Sequence, residues 1–326
     1  MGPAPLPPKD LLPFFDRALA AAGVPPGAVV LIACSGGPDS MALLDLAIRA
    51  GQPAVVGHVD HGLRRSSKTD ARFVAAQAAA RGLKCFIVKA AVRARAARRR
   101  RGVEDAAREL RYAALGRIAR RAGAVAVLTA HTVDDQAETV VMNLLRGAGP
   151  GGLAAMASRS PLPGHPGLAL IRPLLDIPKR DLRDGLRARG IPFRIDETNA
   201  RPLYLRNRLR PVLARWEKER PGFFERTARL ARILRDEEDF WRVRLGLDRR
   251  KGPPRRLDRR EFMRYHIAEQ RRRLRLLFGL SRFESLERVR LFAADRAPGP
   301  LHLPEGGVSK RGRFLIFNRK VAREKP

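Results

Sequence analysis

The stretch AVVLIACSGGPDSMALLDLAIRA, residues 28–50, runs from a short apolar segment through a glycine turn into apolar residues at helical spacing. Ala28 to Cys34 is apolar without alternation, as a strand covered on both faces requires, and a helix is expected from Asp39. Between them lies Ser35-Gly36-Gly37-Pro38-Asp39-Ser40. Two glycines let the backbone approach an anion closely, two hydroxyls add donors, and the open amides of a helix N-terminus complete a cradle for phosphate. Asp39 is placed to hold Mg²⁺ against such phosphates. Taken alone, the six residues read equally as a tight turn and a helix start. No GxxxxGK followed by Ser or Thr occurs, and no GxGxxG follows the strand, so neither alternative nucleotide motif competes.

Outward from this stretch the same alternation repeats. A helix is expected over Lys9–Ala22, then strands at Ala54–Val59, Lys84–Val88 and Val125–Ala130, with helices at Thr69–Arg81, Val103–Arg121 and Val133–Leu145. Strands separated by helices of this length give parallel βαβ units and an α/β, doubly wound, mostly parallel sheet whose ligands bind beyond the carboxyl ends of its strands. Gly147–Gly152 reads as a glycine-rich turn and Ser158–Gly167 as a Pro/Gly-rich excursion before a strand at Leu168–Arg172. A helix then runs from Pro178 to Arg189, with Gly190 as its stop. Beyond an ordered loop at Asp196–Arg206 the character changes to basic helices, Arg206–Glu219 and Phe223–Leu245. The last stretch reads as a small mixed subdomain with a strand at Arg313–Phe317. Two domains are expected: residues 1–215 as the catalytic unit and 216–326 as a smaller, basic, mainly helical one.

The 326 residues carry 66 Lys plus Arg against 33 Asp plus Glu, a net +33, which draws a polyanion from a distance. From Arg201 onward there are 36 basic and 16 acidic residues, or +20, so the excess is denser toward the C-terminus. Arg93–Arg101, with six arginines in nine residues, reads as a solvated loop that could assist. Cys34 and Cys85 have neither metal-ligand nor redox-motif spacing and read as buried strand residues. No apolar run approaches the roughly 20 residues of a membrane helix, and MGPAPLPPKD lacks an apolar signal region, so no membrane is expected and a cytoplasmic protein follows by default.

His131, Asp135 and Glu138, at i, i+4 and i+7, share one face of the helix after the fourth strand, at the end of the sheet where the phosphate loop lies. Such a group can bind a cationic amine, act as a base or hold a metal. The plainer reading is that Asp134 and Asp135 complement the helix dipole while His131 ends a strand.

The six-residue loop resembles the PP-loop signature SGGxDS of the ATP pyrophosphatases, an adenine nucleotide alpha hydrolase-like fold whose members cleave ATP between its α and β phosphates. AHTVDDQAETVVMNLLRGAGPGGL at 130–153 is similar to a signature of the tRNA lysidine synthetase family. HVDHGLR (58–64), GVEDAARELRY (102–112) and DETNARPLYLRNRLR (196–210) resemble further blocks of it in the same order. The resemblance implies a ligase that uses ATP and Mg²⁺ to join free L-lysine to the wobble cytidine of isoleucine tRNA with anticodon CAU, yielding AMP. It implies that Ser35, Gly36, Gly37, Pro38, Asp39, Ser40 and His58 bind ATP, with Asp39 on the metal. His131, Asp135 and Glu138 would serve catalysis, the last two holding lysine, and Arg111 and Arg108 would stabilise phosphate or developing negative charge. Arg206, Asn207 and Arg208 would meet the anticodon nucleotide, while the basic C-terminal domain grips tRNA. Two rivals remain: a PP-loop thiolase acting on cytidine, which usually needs cysteine pairs, and a non-catalytic RNA-binding protein with a vestigial nucleotide fold. Beside the family's longer members a further C-terminal domain is expected to be absent, and a homodimer is left open.

Overall fold

The computed structural model describes residues 10–60, 67–90, 103–195, 205–247, 256–280, 282–295 and 299–319. The arginine run 93–101 and the loop 196–204 lie outside these, as do residues 61–64 of the second motif. The chain divides into two compact units, Met1–Arg235 and Asp236–Pro326. The expected boundary at residue 215 lies inside the first of these units, which continues to Arg235.

In the first unit the elements are α1 (Leu12–Ala21), β1 (Val30–Ala33), α2 (Pro38–Arg49), β2 (Ala54–Asp60), α3 (Ser67–Ala79), β3 (Cys85–Lys89), α4 (Val103–Arg121), β4 (Ala126–Leu128), α5 (Val133–Leu145), α6 (Pro150–Leu153), β5 (Arg159–Pro161), β6 (Ala169–Ile171), α7 (Lys179–Ala188), α8 (Leu205–Glu219) and α9 (Phe223–Arg244), the last crossing the division. The six strands are ordered β3-β2-β1-β4-β6-β5. All pairs are parallel except β5 with β6, an antiparallel edge where Pro161 is tolerated because one side of the strand needs no ladder bond.

Alternate strand residues explain why both faces are covered. Val30, Ile32, Val56, Leu128 and Ile171 pack with α1, α2 and α7 through Phe15, Leu44, Leu182 and Leu186. Leu31, Val55, Val127 and Leu170 turn to the other face and meet Tyr112, Leu115 and Ile118 of α4. The strands are therefore near-continuous apolar runs. The chain runs β1 to β2 to β3 toward one edge and then returns to place β4 on the other side of β1. Strand order thus reverses between β1 and β4, and a crevice opens at their carboxyl ends. Cys34 is buried just past β1, and Cys85 is half-buried in β3.

In the second unit β7 (Arg256–Asp258), β8 (Leu301–Leu303), β9 (Gly306–Arg311) and β10 (Phe314–Arg319) form an antiparallel sheet ordered β7-β10-β9-β8. Helices α10 (Arg259–Arg264), α11 (Ile267–Phe278) and α12 (Phe283–Ala294) close on it, with Phe262, Leu274, Val289, Val308 and Leu315 fully buried. Only the β10 strand of this sheet is anticipated from sequence. Among the described residues no helix is long and apolar enough to cross a membrane.

Candidate active site

The phosphate loop occupies the β1 side of the crevice. Gly37 caps α2, Pro38 fills its first position, and the amides of Asp39 and Ser40 in the first turn have no carbonyl within the helix to bond. Ser40 Oγ organises the loop: it donates to the Gly37 carbonyl at 2.9 Å and accepts from the Ser35 amide at 3.2 Å. Ser35 Oγ lies 3.2 Å from it and accepts from the Gly37 amide at 3.4 Å. From outside, the Arg194 amide donates to the Gly36 carbonyl at 2.8 Å. His58, buried in β2, donates from Nδ1 to the Cys34 carbonyl at 2.9 Å, so it braces the strand end on which the loop begins.

Gly36 is required on two counts. Its φ is +85°, and an added Cβ would lie 3.2 Å from both Phe73 Cδ1 and Val74 Cγ2. Gly36→Ala is therefore expected to cost about 1–2 kcal/mol of stability from the backbone alone and to weaken ATP binding. Thermal unfolding and nucleotide titration check both; an unchanged ATP affinity would mean that the loop does not meet the nucleotide.

The opposite wall is α5. Thr132 caps it: Asp135 Oδ2 accepts from the Thr132 amide at 3.0 Å and from its hydroxyl at 2.9 Å, and Thr132 Oγ1 accepts in turn from the Asp135 amide. The second oxygen, Oδ1, faces Lys179 Nζ at 3.0 Å and Arg206 Nη2 at 2.9 Å. Glu138, one turn on, takes Arg206 Nε at 2.5 Å and Arg210 Nε at 2.9 Å. Burial pushes Asp135 upward, but the charges of Lys179 and Arg206 outweigh it and hold the carboxyl well below the usual carboxylate range.

Lys179 joins the two walls. Its Nζ also lies 3.8 Å from Asp39 Oδ2, and its backbone amide donates to Asp134 Oδ2 at 2.9 Å. Burial works against its charge, but Asp135 and Asp39 raise its pKa, so it remains an ammonium. Sequence reading missed this residue. The available signal was a lysine at the first position of α7, where a cation opposes the helix dipole and needs a reason to be there. Asp39 behaves differently: burial raises its pKa to about 6, Lys179 draws it down and Asp135 adds to the rise. Among the described residues its buried Oδ1 has no hydrogen-bond partner.

His131 follows β4, its Nδ1 3.0 Å from Thr129 Oγ1. Burial drives its pKa down to about 3, with Arg172, Arg111 and Arg206 adding to the fall against Asp135, so the ring is neutral at physiological pH. Arg111 and Arg108 of α4 lie 5.3 and 5.1 Å from the Tyr112 ring centre, and Arg108 is otherwise exposed. Of the three α8 residues singled out by sequence, Arg206 turns inward onto the carboxylates, Asn207 is half-buried and Arg208 is exposed. Arg210, on the inward face with Arg206, was not anticipated.

A phosphate cradle after the first strand of a doubly wound sheet, facing a polar helix across its switch point, defines a nucleotide-binding protein of the PP-loop class. Residues 15–216 match the PP-loop domain family, and the chain belongs to that family. Within it, the chain is similar to proteins named tRNA(Ile)-lysidine synthase: 47% identical to that of Bradyrhizobium sp. BTAi1 over 57% of this chain and 51% of the relative. It is 42% identical to that of Thermus thermophilus over 70% and 43%, and 43% identical to that of Methylobacterium sp. 4-46 over 72% and 66%. The chain spans about half the length of the first two of these relatives. The U34-tRNA thiolase NcsA of Methanococcus maripaludis shares the fold, with a TM-score of 0.56 at 19% identity over 68% of this chain and 79% of that one.

Proposed function

We propose that this chain is a tRNA(Ile)-lysidine synthase: a ligase that uses ATP to join the ε-amine of L-lysine to C2 of the wobble cytidine in isoleucine tRNA with anticodon CAU. The observation that carries the reading is Lys179 Nζ, 3.8 Å from Asp39 of the phosphate loop and 3.0 Å from Asp135 of the carboxylate pair. A site for terminal phosphates and a site for a cation thus share one crevice. Similarity to the lysidine synthases supports the same assignment.

A ring carbonyl is a poor leaving group until activated, so the chemistry needs two steps. The cytosine O2 attacks the α-phosphorus of ATP, pyrophosphate leaves, and the base is adenylated. The lysine ε-amine then attacks C2, loses its proton, and AMP departs. Ser35, Gly36, Gly37 and Ser40 hold the β and γ phosphates through amides and hydroxyls. Asp39 suits Mg²⁺, which is typically bound by one or two carboxylates plus substrate phosphates. Its unpartnered Oδ1 is a ready oxygen ligand, and among the described residues no group of three acidic, histidine or cysteine side chains could hold a metal by itself. When bound, the ion would neutralise charge developing on pyrophosphate.

Asp135 and Glu138 orient the substrate's ammonium, a task their present cationic partners suit them to, and one of them accepts a proton from that ammonium so that the neutral amine can attack. His131, neutral, contacts ATP or the adenylate by hydrogen bonding rather than charge. The cytidine must leave the anticodon stack to be reached, so it is read as a splayed base, while the arginine-rich C-terminal part grips tRNA phosphates. The purified chain is expected to incorporate labelled lysine into CAU-anticodon isoleucine tRNA with matching release of AMP. Production of ADP, or equal labelling of the elongator methionine tRNA with the same anticodon, would overturn the reaction or its specificity.

A further inference from the structure

The phosphate loop is held by bonds of two kinds, and they act on different peptides. Inside the loop, Ser40 Oγ accepts from the Ser35 amide and donates to the Gly37 carbonyl. The peptide between Gly36 and Gly37 is held from outside: its carbonyl accepts from the Arg194 amide at 2.8 Å. A trans peptide sends its carbonyl and its N–H to opposite sides. With the carbonyl turned out to Arg194, the Gly37 N–H is turned in, toward Ser35 Oγ at 3.4 Å. That is longer than an N–H···O bond prefers, so the N–H is aimed but still open to a better acceptor, such as a phosphate oxygen.

This orientation needs holding. Gly36–Gly37 is the one peptide of the loop with a glycine on each side. Turning it over swings ψ of Gly36 and φ of Gly37, now −73°, into ranges that glycine enters without a Cβ clash. In the turned state the Gly36 carbonyl oxygen replaces the N–H on the inner side and meets a phosphate with like charge. The two glycines that let a phosphate come close therefore also leave the loop free to turn its amide away.

Arg194 is itself anchored. Phe193, just before it, packs against the core of the first unit. The Arg194 side chain lies with Nε 3.5 Å from Asp70 Oδ1 and its guanidinium 5.9 Å from the Phe73 ring centre. Both partners belong to α3, and Phe73 is also the side chain 3.2 Å from where a Cβ on Gly36 would stand. One helix thus supports the loop and seats the residue that latches it. If the segment merely closed over the surface, a bond to any loop carbonyl would serve, yet it falls on the carbonyl whose peptide is most free to turn.

We propose that Arg194 is a positioning residue for nucleotide binding: its backbone amide latches the Gly36–Gly37 peptide so that the Gly37 N–H faces the terminal phosphates. The working group is the amide, and the side chain seats it. The proposal rests on the reading of this loop as the phosphate site, and not on lysine transfer or RNA.

The test follows pyrophosphate with Mg²⁺ binding to the full chain, by titration and by thermal unfolding. Arg194→Pro removes the N–H, whereas Arg194→Ala keeps it and loses the contacts with Asp70 and Phe73. Pyrophosphate should bind about tenfold more weakly to the proline variant, the upper scale of one hydrogen bond lost, and no more than about threefold more weakly to the alanine variant. A guanidinium that gripped phosphate directly would instead make the two variants equal. Because proline can disturb the segment itself, a wild-type measurement accompanies it. Pyrophosphate and the Gly36–Arg194 bond select the same peptide orientation, and such linkage is reciprocal. Saturating pyrophosphate should therefore slow hydrogen exchange at the Arg194 amide. The latch is overturned if folded Arg194→Pro binds pyrophosphate as wild type does, if Arg194→Ala weakens as far as the proline variant, or if exchange at Arg194 does not respond. A wild type that bound no pyrophosphate at all would sink the reading of the loop itself, and the latch with it.

Discussion

Asp39→Asn is expected to abolish ATP-dependent pyrophosphate release, by about a hundredfold or more, the scale of losing one preorganised charge in an active site. The side chain keeps its size and its place in the first turn of α2, so the loss would report the charge rather than the fold. The pH dependence supplies a second signature. With a pKa of about 6 in the folded chain, Asp39 is half protonated near pH 6. In wild type kcat/KM for ATP should therefore rise through that region and level off above it. The variant should lack that limb.

Stability runs the opposite way. A carboxyl whose folded pKa lies above its unfolded value near 3.9 binds its proton more tightly in the folded state. Asp39 thus favours folding at low pH, and that advantage is lost as pH rises through about 6. Removing the charge is expected to leave the unfolding temperature at pH 8 unchanged or higher, because Lys179 retains Asp135 at 3.0 Å. Pyrophosphate release within tenfold of wild type would reduce Asp39 to a helix-start residue.

What the sequence discloses follows the range of the interactions concerned. The phosphate loop is local: six consecutive residues, a strand before and a helix after, with Ser40 Oγ bonding within five positions of itself. The helix carrying Asp135 and Glu138 is equally legible, since its apolar period and its cap lie within Val133–Leu145 and Thr132. What closes the site is not local. Lys179 reaches Asp135 across 44 positions, and Arg206 and Arg210 reach Glu138 across 68 and 72. No periodicity encodes such pairings, and in a chain with 66 basic residues one useful lysine does not stand out by composition.

Elements with weak period are lost for a related reason. β5 has three residues, one of them a proline, and it is a strand only because β6 presents an edge to it. The short helix α6 hides in a glycine-rich turn. In the second unit, arginines dilute the apolar period of α11 and α12, whose buried residues Leu274, Leu277, Phe278, Leu286 and Val289 are legible only once the sheet beneath them is known.

Asp135→Asn is expected to spare adenylation and to cripple lysine transfer, by about a hundredfold in the second half-reaction. The asymmetry follows from how the two carboxylate oxygens are spent. Oδ2 caps α5 through Thr132, and an amide oxygen can replace it there. Oδ1 faces Lys179 and Arg206, where only the negative charge serves. Asparagine therefore preserves the helix while weakening the hold on an incoming ammonium, whereas alanine would also lose the cap.

The variant also makes a signed prediction at the other wall. The charge of Asp135 contributes to the raised pKa of Asp39, so removing it should shift the rising limb of kcat/KM for ATP to lower pH. A buried Lys179, left with Asp39 as its closest remaining carboxylate at 3.8 Å, should reinforce that shift. Single-turnover measurements on preformed adenylated tRNA separate the half-reactions. Equal losses in both would mean that Asp135 acts through Lys179 on the phosphate loop and not on the amine, and a limb displaced to higher pH would contradict the electrostatic link between the two walls.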